Sequence, residues 1–348
     1  MTATPRKEQF SGCLIGQCLG DALGFPVEGY PPEVCRQYVD GALGEGLTEK
    51  HGRGPFSFGQ YTDDSQLARE LLQSYAETGR FEPGKYANRI SAIFSEGRIV
   101  GRGRATDQAA IRLSQGVSWE KAGTPPPSAG NGSAMRAGPV GLLFFDDPEK
   151  LIQAAYDQGR ITHQDSRCSA GAVAIAGAVS LSLHNEKVQT KDFIYRLSEW
   201  VQGIEQSVAD CIKQLTEWLP LPPDKAVTYI AKAGLESEYS EVWQGYVPHG
   251  SYQGISPFVT GSVLWSLYSF LKTPGDYRET ICTAIRVGGD VDTTAAMAGA
   301  ISGAYNGLNE IPSNLSRLLT DQGTWGFDEL VDLADKCYDL KIQQLQKE

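Results

Sequence analysis

The stretch GCLIGQCLGDALG, residues 12–24, sets Gly12, Gly16, Gly20 and Gly24 four residues apart among Leu, Ile and Cys. That spacing puts them in one row along an α-helix, where a second helix backbone could approach closely. Each glycine weakens a helix by up to about 1 kcal/mol relative to alanine, so close packing or a nearby ligand must offset the loss. The same small-residue character returns in 170–178 and 295–304, which predicts three tightly packed helices at the centre. Outward from these, apolar residues recur at three- and four-residue spacing in 67–75, 86–94, 193–201 and 263–271. Alternating strand-type runs are scarce, and no strand followed by a glycine fingerprint opens a βαβ unit. The expected fold is all-α, a compact orthogonal helix bundle. The Pro and Gly clusters at 123–130, 219–223 and 247–257 are too short for flexible linkers, so one domain over 1–348 is expected, with its core at about 8–340.

Composition agrees with a packed chain. At 348 residues and 41% hydrophobic content, disorder and small stapled scaffolds are excluded. Forty-two acidic against 31 basic residues give a net charge of -11 and no basic footprint, so nucleic-acid binding is not expected. The seven cysteines are dispersed, without metal-ligand spacing, and read as reduced thiols. No signal-like apolar stretch opens the chain, and 168–183 is too short and too small-residued to span a bilayer. It reads as a buried central helix. A cytoplasmic protein without a membrane partner is expected.

Two acidic clusters carry the chemical signal. Thr62, Asp63, Asp64 and Ser65 precede an amphipathic helix from Gln66; Asp290, Val291, Asp292, Thr293 and Thr294 follow Gly288 and Gly289 and precede an apolar one. Taken singly, each reads as helix capping: Asp63 with Gln66 fits a capping box, and acids suit a helix N-terminus. The helix after Asp292 is apolar on every face, however, so its start lies inside the protein. Several unpaired carboxylates there would repel and resist desolvation, which a cation would resolve. Carboxylates and hydroxyls without Cys or His are hard oxygen ligands suited to Mg²⁺, Mn²⁺ or Ca²⁺, and the two clusters suffice for two ions about 4 Å apart. An Asp-Asp-x-x-Asp site fails because Leu67 occupies the third position, and an EF-hand fails on spacing. Asp21 and Glu28 are the remaining acids in a small-residue setting; Glu28 reads either as a general base or as a solvated loop carboxylate.

These blocks, with Gly20-Asp21 and Glu28, the loop 101–106, the loop 130–136, Thr162-His163 and the closing 288–307, run in an order that resembles the ADP-ribosylglycohydrolases. That family includes the dinitrogenase-reductase-activating glycohydrolases, the ADP-ribosylarginine and ADP-ribosylserine hydrolases, and crystallin-type members. The resemblance implies a binuclear site at the ends of central helices, with Thr62, Asp63, Asp64, Asp290, Asp292 and Thr293 as ligands to two divalent cations, Mg²⁺ or Mn²⁺. It implies Glu28 as the catalytic residue beside them. It also implies a substrate cleft lined by Gly101, Gly103, Asn131, Gly132, Ser133, Met135 and His163. Gly130, Asn131 and Gly132 suit a phosphate cradle, since glycines admit close backbone approach. Arg98, Arg102 and Arg104 read as phosphate contacts or a solvated basic loop. Some relatives place an acid in the 97–105 loop where Gly101 stands here. Tyr252 and Phe258 are candidate adenine-stacking rings. The expected activity is hydrolysis of the bond between ADP-ribose and a modified protein side chain, arginine before serine. A small ADP-ribose conjugate as substrate, or a non-catalytic ADP-ribose binder, stands as the alternative.

Overall fold

In the computed structural model of the chain, covering residues 4–43, 52–184, 187–235 and 253–347, the described residues form seventeen α-helices and isolated bridges but no strand. In chain order these are α1 (Lys7–Gly24), α2 (Pro32–Gln37), α3 (Asp63–Thr78), α4 (Pro83–Ser95), α5 (Arg104–Ser114), α6 (Trp119–Ala122), α7 (Gly138–Leu143), α8 (Pro148–Arg160) and α9 (Ser166–Leu183). The rest are α10 (Thr190–Gln202), α11 (Gln206–Trp218), α12 (Pro223–Ile230), α13 (Val259–Lys272), α14 (Tyr277–Ile285), α15 (Val291–Asn306), α16 (Ser313–Ser316) and α17 (Phe327–Leu345). The all-α expectation holds, and the four periodic stretches lie in α3, α4, α10 and α13.

The glycine row makes the centre. A Cβ on Gly12 would stand 2.5 Å from the Gly303 carbonyl oxygen, and one on Gly24 would stand 2.6 Å from the Asp292 nitrogen, so α1 and α15 touch backbone to backbone along their length. Small residues on both sides remove the side-chain layer that normally separates helices by 8–10 Å. The Tyr277 hydroxyl from α14 donates to the Gly16 carbonyl at 2.7 Å and ties a third helix to the crossing. α9 lies in the same interior: Ser166–Leu183 is long and apolar enough to cross a membrane by composition alone, but 89% of it is buried within the protein. Its small residues admit neighbours closely, Gly171 against Val259 and Gly177 against Leu197 and Trp200. Around this core the outer helices bury one stripe each, α10 through Phe193, Ile194, Leu197 and Val201, α11 through Val208, Ile212 and Leu215. All seven cysteines are unpaired and buried.

Candidate active site

The close approach of α1 and α15 brings the two acidic clusters together. α3 begins at Asp63 rather than Gln66, with Thr62 in an extended conformation before it. The capping box expected from Asp63 and Gln66 does not form. The Asp63 N–H donates to the Val100 carbonyl at 2.7 Å, and the Gln66 side chain goes to Asp321 Oδ1 and the Arg98 carbonyl. The cap comes instead from another helix: Asp21, fully buried on α1, accepts from the Thr62 N–H at 3.0 Å, the Thr62 hydroxyl at 3.0 Å and the Ser65 N–H at 3.1 Å. With the helix start satisfied by Asp21, the Asp63 and Asp64 side chains are released from capping.

The second cluster is set by glycines that no other residue could replace. Gly288 and Gly289 both have positive φ, 75° and 90°, and a Cβ on Gly288 would stand 2.7 Å from the Pro32 nitrogen. This approach lets the Gly29 N–H donate to the Gly289 carbonyl at 2.8 Å and the Gly289 N–H to the Tyr30 carbonyl at 3.0 Å. Glu28 is thereby placed beside the start of α15, and single carboxylate oxygens of Glu28, Asp290 and Asp292 lie within 4.8 Å of one another. Asp292 Oδ1 accepts from the Thr293 N–H at 2.9 Å, and Asn131 donates to Asp290 Oδ2.

Electrostatics tests whether these residues suit a cation. Burial, and next the charge of Glu28, pushes the Asp63 and Asp290 carboxyls up to about 7. Burial first, then neighbouring carboxylates led by Asp21 and Glu28 respectively, holds Asp64 and Asp292 well above the ordinary range. Asp64 Oδ1 is buried without a hydrogen-bond partner. A group of acids that cannot all ionise together, with an orphaned oxygen among them, is what a divalent cation reverses. The donors are all oxygen, so the residues fit Mg²⁺ or Mn²⁺ and not a thiolate-bound metal.

Thr62, Asp63, Asp64, Asp290, Asp292, Thr293 and Glu28 all line one cleft of about 590 Å³. Gly101, Gly103, Asn131, Gly132, Met135 and His163 line it too. Gly101 has φ of 78°, and a Cβ there would stand 2.6 Å from Asp63 Oδ1, so the glycine lets its loop close directly over that acid. The Ser133 side chain is turned from the cleft: its hydroxyl donates to the Cys168 carbonyl at 2.9 Å. A 3-10 turn, Asn131–Ser133, rather than an α-helix follows Gly130, and its Asn131 N–H is already given to Pro257. His163 is held neutral and in a fixed orientation. Arg136 Nη2 donates to the Thr162 hydroxyl at 2.8 Å, and that hydroxyl is hydrogen-bonded to His163 Nδ1 at 2.8 Å, which turns the Nε2 edge of the ring toward Gly130 and Gly132. Burial, then the Arg136 charge, lowers its pKa to about 3.

Arg102 and Arg104 line the cleft, although Arg102 also pairs with Asp107 at 2.9 Å; Arg98 pairs with Glu96 at 2.6 Å. Phe258 is fully buried beneath the Arg167 guanidinium and offers no open face for stacking; Tyr252 lies outside the described residues. Phe25 is the one Phe, Tyr or Trp among the described lining residues. Sequence reasoning missed two contributors, the trans-capping role of Asp21 and the ion pair of Arg53 Nη1 with Glu28 Oε2 at 2.6 Å.

Comparison with known proteins now bears on this cleft. The family model for ADP-ribosylglycohydrolase matches residues 2–346. An ADP-ribosylhydrolase ARH3 from Xenopus tropicalis is 29% identical over 97% of this chain and 97% of its own length. An ADP-ribosylarginine hydrolase Tri1 from Pseudomonas putida (strain GB-1) is 24% identical over 89% of this chain and 74% of its own length. The solved structure of an ADP-ribosylglycohydrolase-related protein complex is similar with a TM-score of 0.70 at 24% identity, covering 97% of this chain and 100% of that one, and speaks for the fold. The order of the sequence blocks, the helical fold and a family match over almost the whole chain lead to one conclusion: the chain belongs to the ADP-ribosylglycohydrolase family and is a glycosyl hydrolase.

Proposed function

We propose that the protein is a divalent-cation-dependent hydrolase that releases ADP-ribose from a modified protein side chain. The observation that carries this reading is the convergence of Glu28, Asp290 and Asp292 within 4.8 Å at a cleft that also holds the orphaned Asp64 oxygen. Thr62, Asp63, Asp64, Asp290, Asp292 and Thr293 are the proposed ligands, and two cations there, Mg²⁺ or Mn²⁺, would supply positive charge for the carboxylates and Lewis acidity toward the ribose hydroxyls. Glu28 is the proposed base. Its carboxylate is the solvent-facing member of the group, where it can accept the proton of an attacking water. Flanking carboxylates favour the oxocarbenium character that develops as a glycosidic bond breaks. His163 Nε2 and the Gly130 and Gly132 backbone offer hydrogen bonds to the rest of the nucleotide, and Arg104 adds charge at the rim. The sequence expectation for the linkage is arginine before serine, and a cytoplasmic setting goes with seven unpaired thiols.

The test is release of free ADP-ribose from matched peptides carrying ADP-ribosyl-arginine or ADP-ribosyl-serine, in Mg²⁺ or Mn²⁺, with an EDTA control. EDTA-sensitive release is the expected result. Release unaffected by EDTA would remove the cations from the reading, and no release with ADP-ribose still bound would point to a binding protein or a small-conjugate hydrolase.

A further inference from the structure

We propose that Arg53 is a positioning and specificity residue: by holding a fixed positive charge against Glu28, it disfavours a cationic leaving group and favours a neutral, oxygen-linked one. The inference rests on the hydrolase reading above and reverses its order of linkages, placing serine before arginine. Asp63, Asp64, Asp290 and Asp292 are at most 8% exposed, whereas the Glu28 side chain is 37% exposed. A side chain borne on another protein must reach the cleft from solvent. Among these acids Glu28 is the open one, and Arg53, though not itself a lining residue, is paired with it, so a leaving group that approaches Glu28 approaches the Arg53 charge.

An exposed ion pair usually contributes little, because two long side chains must be frozen to make it. Arg53 is held by more than the pair. Its Nη1 donates to Glu28 Oε2 at 2.6 Å and to the Phe25 carbonyl at 2.8 Å, and its guanidinium lies 5.1 Å from the Phe25 ring centre. Its backbone exchanges two 3.0 Å hydrogen bonds with Phe56, whose ring packs 5.9 Å from that of Phe25. The guanidinium is thus locked between an acid, a carbonyl and an aromatic face, and one Glu28 oxygen is already engaged.

An arginine-linked ADP-ribose presents a second guanidinium at this edge. It meets a like charge, and the acid that would balance it is taken. A serine-linked conjugate presents a neutral oxygen and meets neither obstacle. Two unit charges several ångströms apart in a partly screened setting differ from a neutral pair by a factor of about ten in affinity.

The experiment compares kcat/KM for the two matched peptides with wild type, Arg53→Lys and Arg53→Gln. Arg53→Gln is expected to raise the arginine-to-serine ratio about tenfold, through KM for the arginine peptide, while Arg53→Lys keeps the wild-type ratio. A purely structural role would lower turnover of both peptides alike and leave the ratio fixed, which overturns the proposal. So does a ratio that falls in Arg53→Gln, the result if Arg53 swings out to admit the substrate guanidinium. Should Arg53→Gln not fold, the wild-type ratio is measured against NaCl: screening is expected to raise it between 0.05 and 0.5 M, and a flat response overturns the assignment. Absence of release from both peptides by wild type defeats the hydrolase reading itself and takes this inference with it.

Discussion

Replacing Gly12 by alanine sets two effects of known sign against each other. Helix propensity favours alanine by up to about 1 kcal/mol. The new Cβ, however, would stand 2.5 Å from the Gly303 carbonyl oxygen and 2.8 Å from both the Gly307 carbonyl carbon and the Leu308 nitrogen. An ordinary contact begins near 3.4 Å, so α1 and the end of α15 must part by about 0.9 Å. All three obstacles are backbone, so no side chain can rotate away, and the overpacking cost falls at the upper end of the usual range, about 3 kcal/mol. The net expectation is destabilisation by about 2 kcal/mol, a fall in Tm of about 3 °C for a chain of this size. Gly203→Ala is the control: its backbone is already right-handed helical, with φ of -69°, and nothing lies within 4 Å of the added carbon. It should be neutral or slightly stabilising. Urea denaturation followed by far-UV circular dichroism measures both. If Gly12→Ala proves as stable as wild type, the backbone contact between α1 and α15 is not the close packing described.

Three further outcomes test the site. Asp64→Asn removes a buried carboxylate held well above its ordinary pKa, so the metal-free protein should melt at a higher temperature while the rise in Tm on adding Mn²⁺ disappears; a wild-type Mn²⁺ response would exclude Asp64 as a ligand. Glu28→Gln should bind ADP-ribose normally in calorimetry and turn over about 100-fold more slowly; wild-type turnover would take Glu28 out of the mechanism. His163, kept neutral with its pKa lowered to about 3 from 6.5, contributes stability that is full above pH 6.5 and lost progressively as pH falls toward 3, because the unfolded state takes up the proton first. Between pH 7 and pH 5 that amounts to about 2 kcal/mol, and His163→Gln should lose stability over this interval by that much less; equal acid sensitivity would mean that His163 is not buried neutral.

The interior of the fold is legible in the sequence because its causes are local. Three- and four-residue periodicity marks α3, α4, α10 and α13, and the four-residue glycine spacing announces a helix that must meet another backbone. The acid clusters are legible as well, since carboxylates before an all-apolar helix demand an explanation. What stays hidden depends on contacts between distant segments. Asp21 looks like a lone acid in a glycine-rich helix until the crossing sets it under Thr62. Gln66 has the right spacing for a capping box, but Asp321, 255 residues away, takes its amide instead. Arg53 stands in a stretch without periodicity, and only the fold shows that its guanidinium meets Glu28. Ser133 and Phe258 sit in the expected segments, yet their side chains face the interior, a choice that spacing alone does not record.

The crossing of α1 and α15 also bears on synthesis. The Tyr277 hydroxyl reaches the Gly16 carbonyl across 261 residues of chain, and the glycine face of α1 finds its partner only when α15 has been made. Until then α1 is a weak helix former whose apolar glycine face has no partner to bury it. Contacts of such long sequence separation slow folding, and the nascent chain spends most of its elongation time with this segment uncovered. A holdase that engages residues 7–24 during translation would therefore raise the yield of this protein more than one acting on the outer helices, whose partners are neighbours in sequence.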